Sequence, residues 1–274
     1  YNTKMFGLGN KRSIIREIFE YSKIRGAEIG PENVFDFSLG NPSVPAPDEV
    51  NNVIRDLLDS SDSVLLHGYT SAQGDAGVRA AIADYLNKTH GTSFTADNLY
   101  MTCGAAASLC ITFRALTEKD DEIIIFAPYF PEYKPFAESA GLTFKVVPPD
   151  VPDFQIRMDA VDAALTENTV AIILNSPNNP SGVVYTRKTL EDLAALLRKR
   201  AAEFGHPIYI VADKPYRELV YGGVTVPFIP TIYKNTVICY SYSKSLSLPG
   251  ERIGYVFVPC FAENSAELYA AVAG

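Results

Sequence analysis

The chain has 274 residues, with 24 Lys plus Arg against 32 Asp plus Glu, for a formal net charge of -8. Apolar residues at 47% and charged residues at 20% match a globular chain with a core, which excludes wholesale disorder. The negative balance argues against a general nucleic-acid binder, and no apolar run approaches the roughly 20 residues of a membrane helix.

In chain order, the first residues lack the apolar stretch of a signal peptide and lack an initiator Met, so residues are expected to be missing there. Residues 48–59 place Val50, Val53, Ile54, Leu57 and Leu58 on one face and predict a helix. Residues 75–88, with Val78, Ile82, Tyr85 and Leu86, predict a second helix that stops at Gly91. A helical run over 109–116 comes after Thr102-Cys-Gly-Ala-Ala-Ala-Ser108. The clearest stripe, Leu190, Leu193, Leu196, Leu197 and Phe204, predicts a helix over about 186–204. Between the helices lie short apolar runs at 122–127, 170–174, 208–212, 237–240 and 255–258. Such runs read as strands buried on both faces of a parallel sheet, and their alternation with helices implies an α/β layered domain with right-handed crossovers. The last residues, through Ala271-Val-Ala-Gly274, read as a helix, and the chain is expected to be incomplete there. The helix face around Leu268, Tyr269 and Val272 is then expected to lack a packing partner.

The cysteines at 103, 110, 239 and 260 form no Cys-x-x-Cys pair, and the chain has three His. No disulfide framework or metal site is expected, and a reducing cytoplasm is the natural setting.

The residues just past the apolar runs carry the chemistry. The strands lead into Pro128-Tyr-Phe-Pro-Glu-Tyr133, Asn175-Ser-Pro-Asn-Asn-Pro-Ser-Gly182, Asp213-Lys-Pro-Tyr216 and Ser241-Tyr-Ser-Lys-Ser245. Open α/β sheets bind ligands outside the carboxyl ends of their strands, so these segments point to one shared site. A lone lysine is ordinarily a solvated surface charge. Lys244, however, comes after a strand among hydroxyls with Arg252 downstream, where desolvation and a cationic neighbour can prepare a Schiff-base amine. Asp213 is either a turn carboxylate or the partner of a buried cation such as a protonated pyridine nitrogen. Tyr216 and Asn179 could hydrogen-bond a ring oxygen. Gly104 with Ala105 and Ala106 leaves helix N-terminal amides uncrowded, as a phosphate seat requires, although small residues there also suit close helix–sheet packing. Ser241 and Arg252 could add phosphate ligands, and Phe130 could stack on a flat ring. The set matches the needs of pyridoxal phosphate.

With these residues assembled, the sequence resembles the class I/II aminotransferases of the aspartate aminotransferase fold type. The matching stretches are Ser38-Leu-Gly-Asn-Pro42, His67-Gly-Tyr-Thr-Ser-Ala-Gln-Gly-Asp75, Thr102-Cys-Gly-Ala-Ala-Ala-Ser-Leu109, Ser176-Pro-Asn-Asn-Pro-Ser-Gly182, Ala212-Asp-Lys-Pro-Tyr216 and Ser241-Tyr-Ser-Lys-Ser-Leu-Ser-Leu-Pro-Gly-Glu-Arg-Ile-Gly254. The resemblance implies a three-layer α/β/α large domain over 35–274 with a mostly parallel central sheet, an N-terminal segment over 1–34 belonging to a small domain or substrate lid, and a small C-terminal domain that is largely absent. It implies an enzyme that moves an amino group between an L-amino acid and a 2-oxo acid, with pyridoxal 5′-phosphate as cofactor.

By the same resemblance Lys244 forms the Schiff base and shuttles the proton, and Asp213 keeps the pyridine nitrogen protonated. Tyr216 and Asn179 bind the ring oxygen, and Phe130 stacks on the ring. Gly104, Ala105, Ala106, Ser241, Ser243 and Arg252 bind the phosphate. Tyr69 reaches the phosphate of a partner subunit, implying a homodimer, and Gly40 and Asn179 border the substrate. Two departures stand out. Lys214 replaces the acidic residue usual after the Asp and is expected to point away from the ring. No residue can be assigned as the arginine that clamps the substrate carboxylate. A carbon–sulfur lyase on the same fold and a cofactor-sensing regulator domain are the competing readings.

Overall fold

A computed structural model describes residues 1–10 and 14–274. They divide into two compact units, Tyr1–Pro45 and Ala46–Gly274, whereas the expected boundary lies after residue 34. The first unit contains α1 (Thr3–Asn10) and α2 (Ile14–Ile29).

The second unit runs α3 (Asp48–Ser60), α4 (Ser63–His67), α5 (Ala76–His90), β1 (Leu99–Thr102), α6 (Ala105–Leu116), β2 (Glu122–Phe126), α7 (Tyr133–Ser139), β3 (Thr143–Val147) and α8 (Met158–Ala164). It continues through β4 (Thr169–Asn175), α9 (Arg187–Phe204), β5 (Tyr209–Asp213), β6 (Thr236–Ser241), α10 (Tyr242–Ser245), β7 (Gly254–Phe257) and α11 (Ser265–Ala273). The seven strands form one sheet in the order β1-β7-β6-β5-β4-β2-β3. All pairs are parallel except those of β7, which runs antiparallel to both β1 and β6.

Successive strand residues point to opposite faces, and the core divides accordingly. Ile124, Ile172, Ile210 and Ile238 pack on one face with Leu86 of α5, Val161 of α8 and Leu190, Leu193 and Leu197 of α9. Ile123, Ile173, Val211 and Val237 pack on the other with Leu109 and Phe113 of α6, Tyr133 of α7 and Leu268 and Val272 of α11. The result is three layers, α/β/α, around a mostly parallel sheet, as expected.

Local chemistry sets the helix ends. The Thr186 side chain caps α9 by accepting from Thr189 N at 3.0 Å, and the Asp75 side chain caps α5 by accepting from Val78 N at 2.9 Å. Helix α6 begins at Ala105, four residues before the expected 109.

Two expectations are corrected. The run at 255–258 is not part of the parallel set. A strand buried on both faces is apolar whichever way it runs, so its direction is invisible in composition. The face around Leu268, Tyr269 and Val272 does have a partner: Leu268 and Val272 are buried beside Leu109 and Phe113, and Tyr269 Oη donates to Leu99 O at 2.9 Å. The sheet and α6 cover it from within the same unit. Strands β1 and β3 fall outside the predicted set because they are short edge strands of mixed burial. Helix α3 forms where predicted, yet none of its residues is buried.

Candidate functional site

The carboxyl ends of β6, β5, β4 and β2 lie side by side in the sheet. A cavity of about 220 Å³ opens there, lined by Ala105, Ala106, Phe130, Asn179, Asp213, Tyr216, Ser241, Ser243, Lys244 and Arg252, together with Leu109, Tyr133, Asn175, Pro215 and Pro249.

Asp213 ends β5 opposite Asn175 of β4 and Cys239 of β6. Its side chain lies on the α6–α7 face of the sheet, 5% exposed. Tyr133 Oη donates to Asp213 Oδ2 at 2.5 Å, while Oδ1 is buried with no hydrogen-bond partner among the described residues. Burial raises the Asp213 pKa to about 6, against the opposing pull of the Tyr133 hydrogen bond and the Lys214 charge. An orphaned oxygen on a dry carboxylate is costly, and it is an open acceptor for a cationic N–H.

Lys214, next along the chain, leaves the other side of the backbone. It is buried and its Nζ donates to Ser176 O at 2.7 Å. Burial lowers its pKa to about 7, reinforced by the Arg217 charge and opposed by Asp213.

The turn after β4 is held by its own amides. Asn175 Oδ1 accepts from Asn179 N at 2.7 Å, and Asn175 Nδ2 donates to Asp213 O at 3.1 Å. Asn178 Oδ1 accepts from Ser181 N at 3.0 Å. This fixes Asn179, whose Nδ2 donates to Tyr216 Oη at 3.3 Å. Burial, then the Asp213 charge, raise the Tyr216 pKa.

Lys244 sits on α10, whose start is capped by Ser241 Oγ accepting from Ser243 N at 3.2 Å. The side chain is half-buried, and that desolvation lowers its pKa, as an amine nucleophile needs.

Arg252 adds a cation to the cavity lining. Arg252 donates through Nη1 to Pro249 O at 2.9 Å and through Nη2 to Cys103 O at 3.3 Å, beside the start of α6. Gly104 precedes that helix at φ 91°, and a Cβ there would lie 2.9 Å from Arg252 Nη2. A Cβ on Gly254 would lie 2.8 Å from Gly104 Cα, so β7 and the α6 turn pack backbone to backbone. The free amides of the first α6 turn and the guanidinium together suit a multiply charged anion.

The structure therefore brings Lys244, Asp213, Tyr216, Asn179, Phe130, Ala105, Ala106, Ser241, Ser243 and Arg252 to one cavity. Gly104 is not among its lining residues but precedes Ala105 and packs against Arg252. It does not bring Tyr69 there: that side chain, between α4 and α5, is fully exposed. Gly40 belongs to the first unit. Sequence reasoning missed Tyr133 and Asn175. Both lay in the stretches already singled out after the apolar runs. For Asn175 a polar residue closing such a run was the available signal, and for Tyr133, at the start of α7, there was none. Phe130, assigned to ring stacking, also meets Tyr133 edge-on at 5.5 Å between ring centroids. Among the described residues, no group of three or more His, Cys, Asp or Glu is placed to hold a metal ion.

The profile of the family described as aminotransferase class I and II matches residues 32–273. An aspartate aminotransferase of Thermotoga maritima is 32% identical over 228 residues, 82% of this chain and 58% of the relative. One of Pyrococcus horikoshii is 29% identical over 277 residues, 96% of this chain and 64% of the relative. A crystal structure of an amino transferase from Eubacterium rectale is 60% identical and superposes with a TM-score of 0.97, covering 100% of this chain and 69% of that one. The aspartate aminotransferase structure from Thermotoga maritima gives a TM-score of 0.82 at 30% identity, covering 96% of this chain and 66% of that one. The chain thus spans under three fifths of the length of curated relatives such as the Thermotoga aspartate aminotransferase.

Proposed function

We propose that this chain, which belongs to the class I and II aminotransferase family, binds pyridoxal 5′-phosphate in the cavity at the strand ends and serves transfer of an amino group between an L-amino acid and a 2-oxo acid. The observation that carries the proposal is the Asp213 carboxylate, with one oxygen tied to Tyr133 and the other buried without a partner among the described residues, at the same cavity as Lys244.

The residues present fit the cofactor. Asp213 Oδ1 offers a dry, negatively charged acceptor of the kind a protonated pyridine nitrogen requires. The Gly104 turn is a cradle that a Cβ would fill, and with Arg252, Ser241 and Ser243 it supplies donors for a phosphate. Asn179 and Tyr216, already joined to each other, would hold a ring oxygen between them. Phe130 would lie against the ring. When bound, pyridoxal phosphate supplies an electron sink for the bond that loses its proton.

The chain's own residues would do the rest. Lys244, with its pKa lowered by desolvation, would hold the cofactor through Nζ and, once displaced by a substrate amine, would carry the substrate α-proton on that same atom. Tyr133 would keep Asp213 oriented and favour its ionised form. Full exposure of Tyr69 within one chain supports the reading that it serves the site of a second copy, and hence a homodimer. The separate compactness of Tyr1–Pro45 supports an N-terminal part distinct from the cofactor-binding domain. A cytoplasmic setting goes with the same reading.

The deciding experiment is an amino-donor screen with added pyridoxal 5′-phosphate and a range of 2-oxo acids. Amino transfer dependent on the 2-oxo acid supports the proposal. Acceptor-independent release of a β-substituent would point to lyase chemistry, and no reaction or cofactor binding under any condition would reject the assignment.

A further inference from the structure

Helix α10, which carries Lys244, is only four residues long. A single turn does not hold itself, because nucleating a helix fixes several dihedrals for one hydrogen bond. Something outside the helix must set where Lys244 points. Ser245, the next residue, has its Oγ 2.8 Å from Tyr240 Oη, and Tyr240 Oη donates to Glu218 Oε2 at 3.1 Å. Arg217 grips the other carboxylate oxygen, with Nε 2.7 Å and Nη2 2.6 Å from Glu218 Oε1.

This chain of bonds has a fixed direction. An ionised carboxylate only accepts, so the Tyr240 proton must point to Glu218. The Tyr240 oxygen is then left to accept, and the Ser245 hydroxyl must donate to it. Bonds aligned this way polarise and strengthen one another in a buried setting. Arg217 is itself held in place: it lies 4.4 Å over the Tyr240 ring and 5.7 Å from the Tyr85 ring, and Nη1 donates to Tyr255 Oη at 3.4 Å. Arg217 and Glu218 come directly after Tyr216, so the turn that leaves Asp213 and Tyr216 is tied to the helix that carries Lys244.

We propose that Tyr240 is a positioning residue for Lys244, acting through the oriented chain Ser245 → Tyr240 → Glu218, with Arg217 holding the carboxylate. The inference rests on the reading of Lys244 as the cofactor-bearing amine.

The test uses the full chain with pyridoxal 5′-phosphate, comparing wild type with Tyr240→Phe, Ser245→Ala, Ser245→Thr, their Tyr240→Phe/Ser245→Ala combination and Tyr255→Phe. Two quantities are read: the pH midpoint of the visible absorption of cofactor held on Lys244, and the single-turnover rate of amino transfer. Tyr240→Phe and Ser245→Ala should each displace the midpoint and slow the turnover about ten- to a hundredfold, as small misplacements of a reacting group do. The double variant should be no worse than the worse single one, because each breaks the same chain. Ser245→Thr, which keeps the hydroxyl, should restore both readings. Tyr255→Phe, which removes one long contact to Arg217 and leaves the Ser245, Tyr240 and Glu218 bonds intact, should lower the melting temperature and displace the midpoint less than either break in the chain. Unmoved midpoints in folded Tyr240→Phe and Ser245→Ala, additive effects, or an equal displacement in Tyr255→Phe each overturn the inference. A wild-type chain that forms no such absorption overturns the proposed function, and the inference with it.

Discussion

Tyr133 and Asp213 stand 80 residues apart in sequence, and their oxygens lie 2.5 Å apart, with both side chains buried. The phenol satisfies one carboxylate oxygen and holds the side chain so that the other, Oδ1, stays buried without a partner among the described residues. A folded chain carrying such a group gives up stability for a poised acceptor, and four consequences of this and related features can be measured.

Asp213 should destabilise the cofactor-free protein at neutral pH. A carboxyl whose pKa is raised on folding, here from 3.8 to about 6, favours the folded state most below pH 3.8, and that contribution is lost as pH climbs through about 6. Asp213→Asn should therefore raise the melting temperature of the cofactor-free protein at pH 8 by several degrees, at about 2–4 °C per kcal/mol. The gain should shrink as pH falls toward 4. The same variant should slow α-proton removal by orders of magnitude, each ~1.36 kcal/mol of lost transition-state stabilisation being tenfold in rate. Scanning calorimetry from pH 4 to pH 8 checks the first part, and a melting temperature unchanged at pH 8 contradicts it.

Borohydride reduction of the cofactor-loaded chain should fix pyridoxyl mass on the peptide containing Lys244 and on no other. Lys214 is the nearby competitor, but it is buried on the other side of the strand with its Nζ on Ser176 O. Peptide mapping decides, and label on Lys214 would reverse the assignment.

Gly104→Ala should weaken binding of the phosphate-bearing cofactor. Strain at φ 91° costs about 1–3 kcal/mol, and the new Cβ would lie 2.9 Å from Arg252 Nη2. Titration with pyridoxal 5′-phosphate should show the loss, whereas pyridoxal, which lacks the phosphate, should bind the variant and the wild type alike. An equal loss for both ligands would mean that the turn shapes the whole cavity rather than an anion seat.

Leu268→Ala in α11 should destabilise the protein by about 2–5 kcal/mol, the range for emptying a buried leucine site. Chemical denaturation reads this directly. A change below about 1 kcal/mol would show that α11 contributes little to the core around Leu109 and Phe113.

Much of the architecture was legible in the sequence because it is written in near neighbours. The stripe from Leu190 to Phe204 and the apolar runs ending at Asn175, Asp213 and Ser241 reflect periodicities of 3.6 and 2, and every such element formed within a few residues of its expected bounds. The chemistry-bearing turns were legible for the same reason, since Gly, Pro, Asn and Asp act within a few residues of where they stand. What the local pattern could not carry was direction, depth and partnership. The apolar run of β7 reads the same parallel or antiparallel. The face of Leu268 and Val272 reads the same covered or bare, and α3 shows as clear an apolar face with none of its residues buried. Tyr133 became a site residue only when α7 and β5 were packed on one side of the sheet, whereas Lys214 points away from the cavity as expected, because successive residues past Asp213 alternate sides. The sequence by itself determined which segments would be helix, strand or turn, and which residue types stood at the strand ends, because those depend on neighbours along the chain. The tertiary structure alone decided which of those residues meet, which oxygen of Asp213 is left open and what holds the helix of Lys244, because these depend on contacts between residues far apart in the chain.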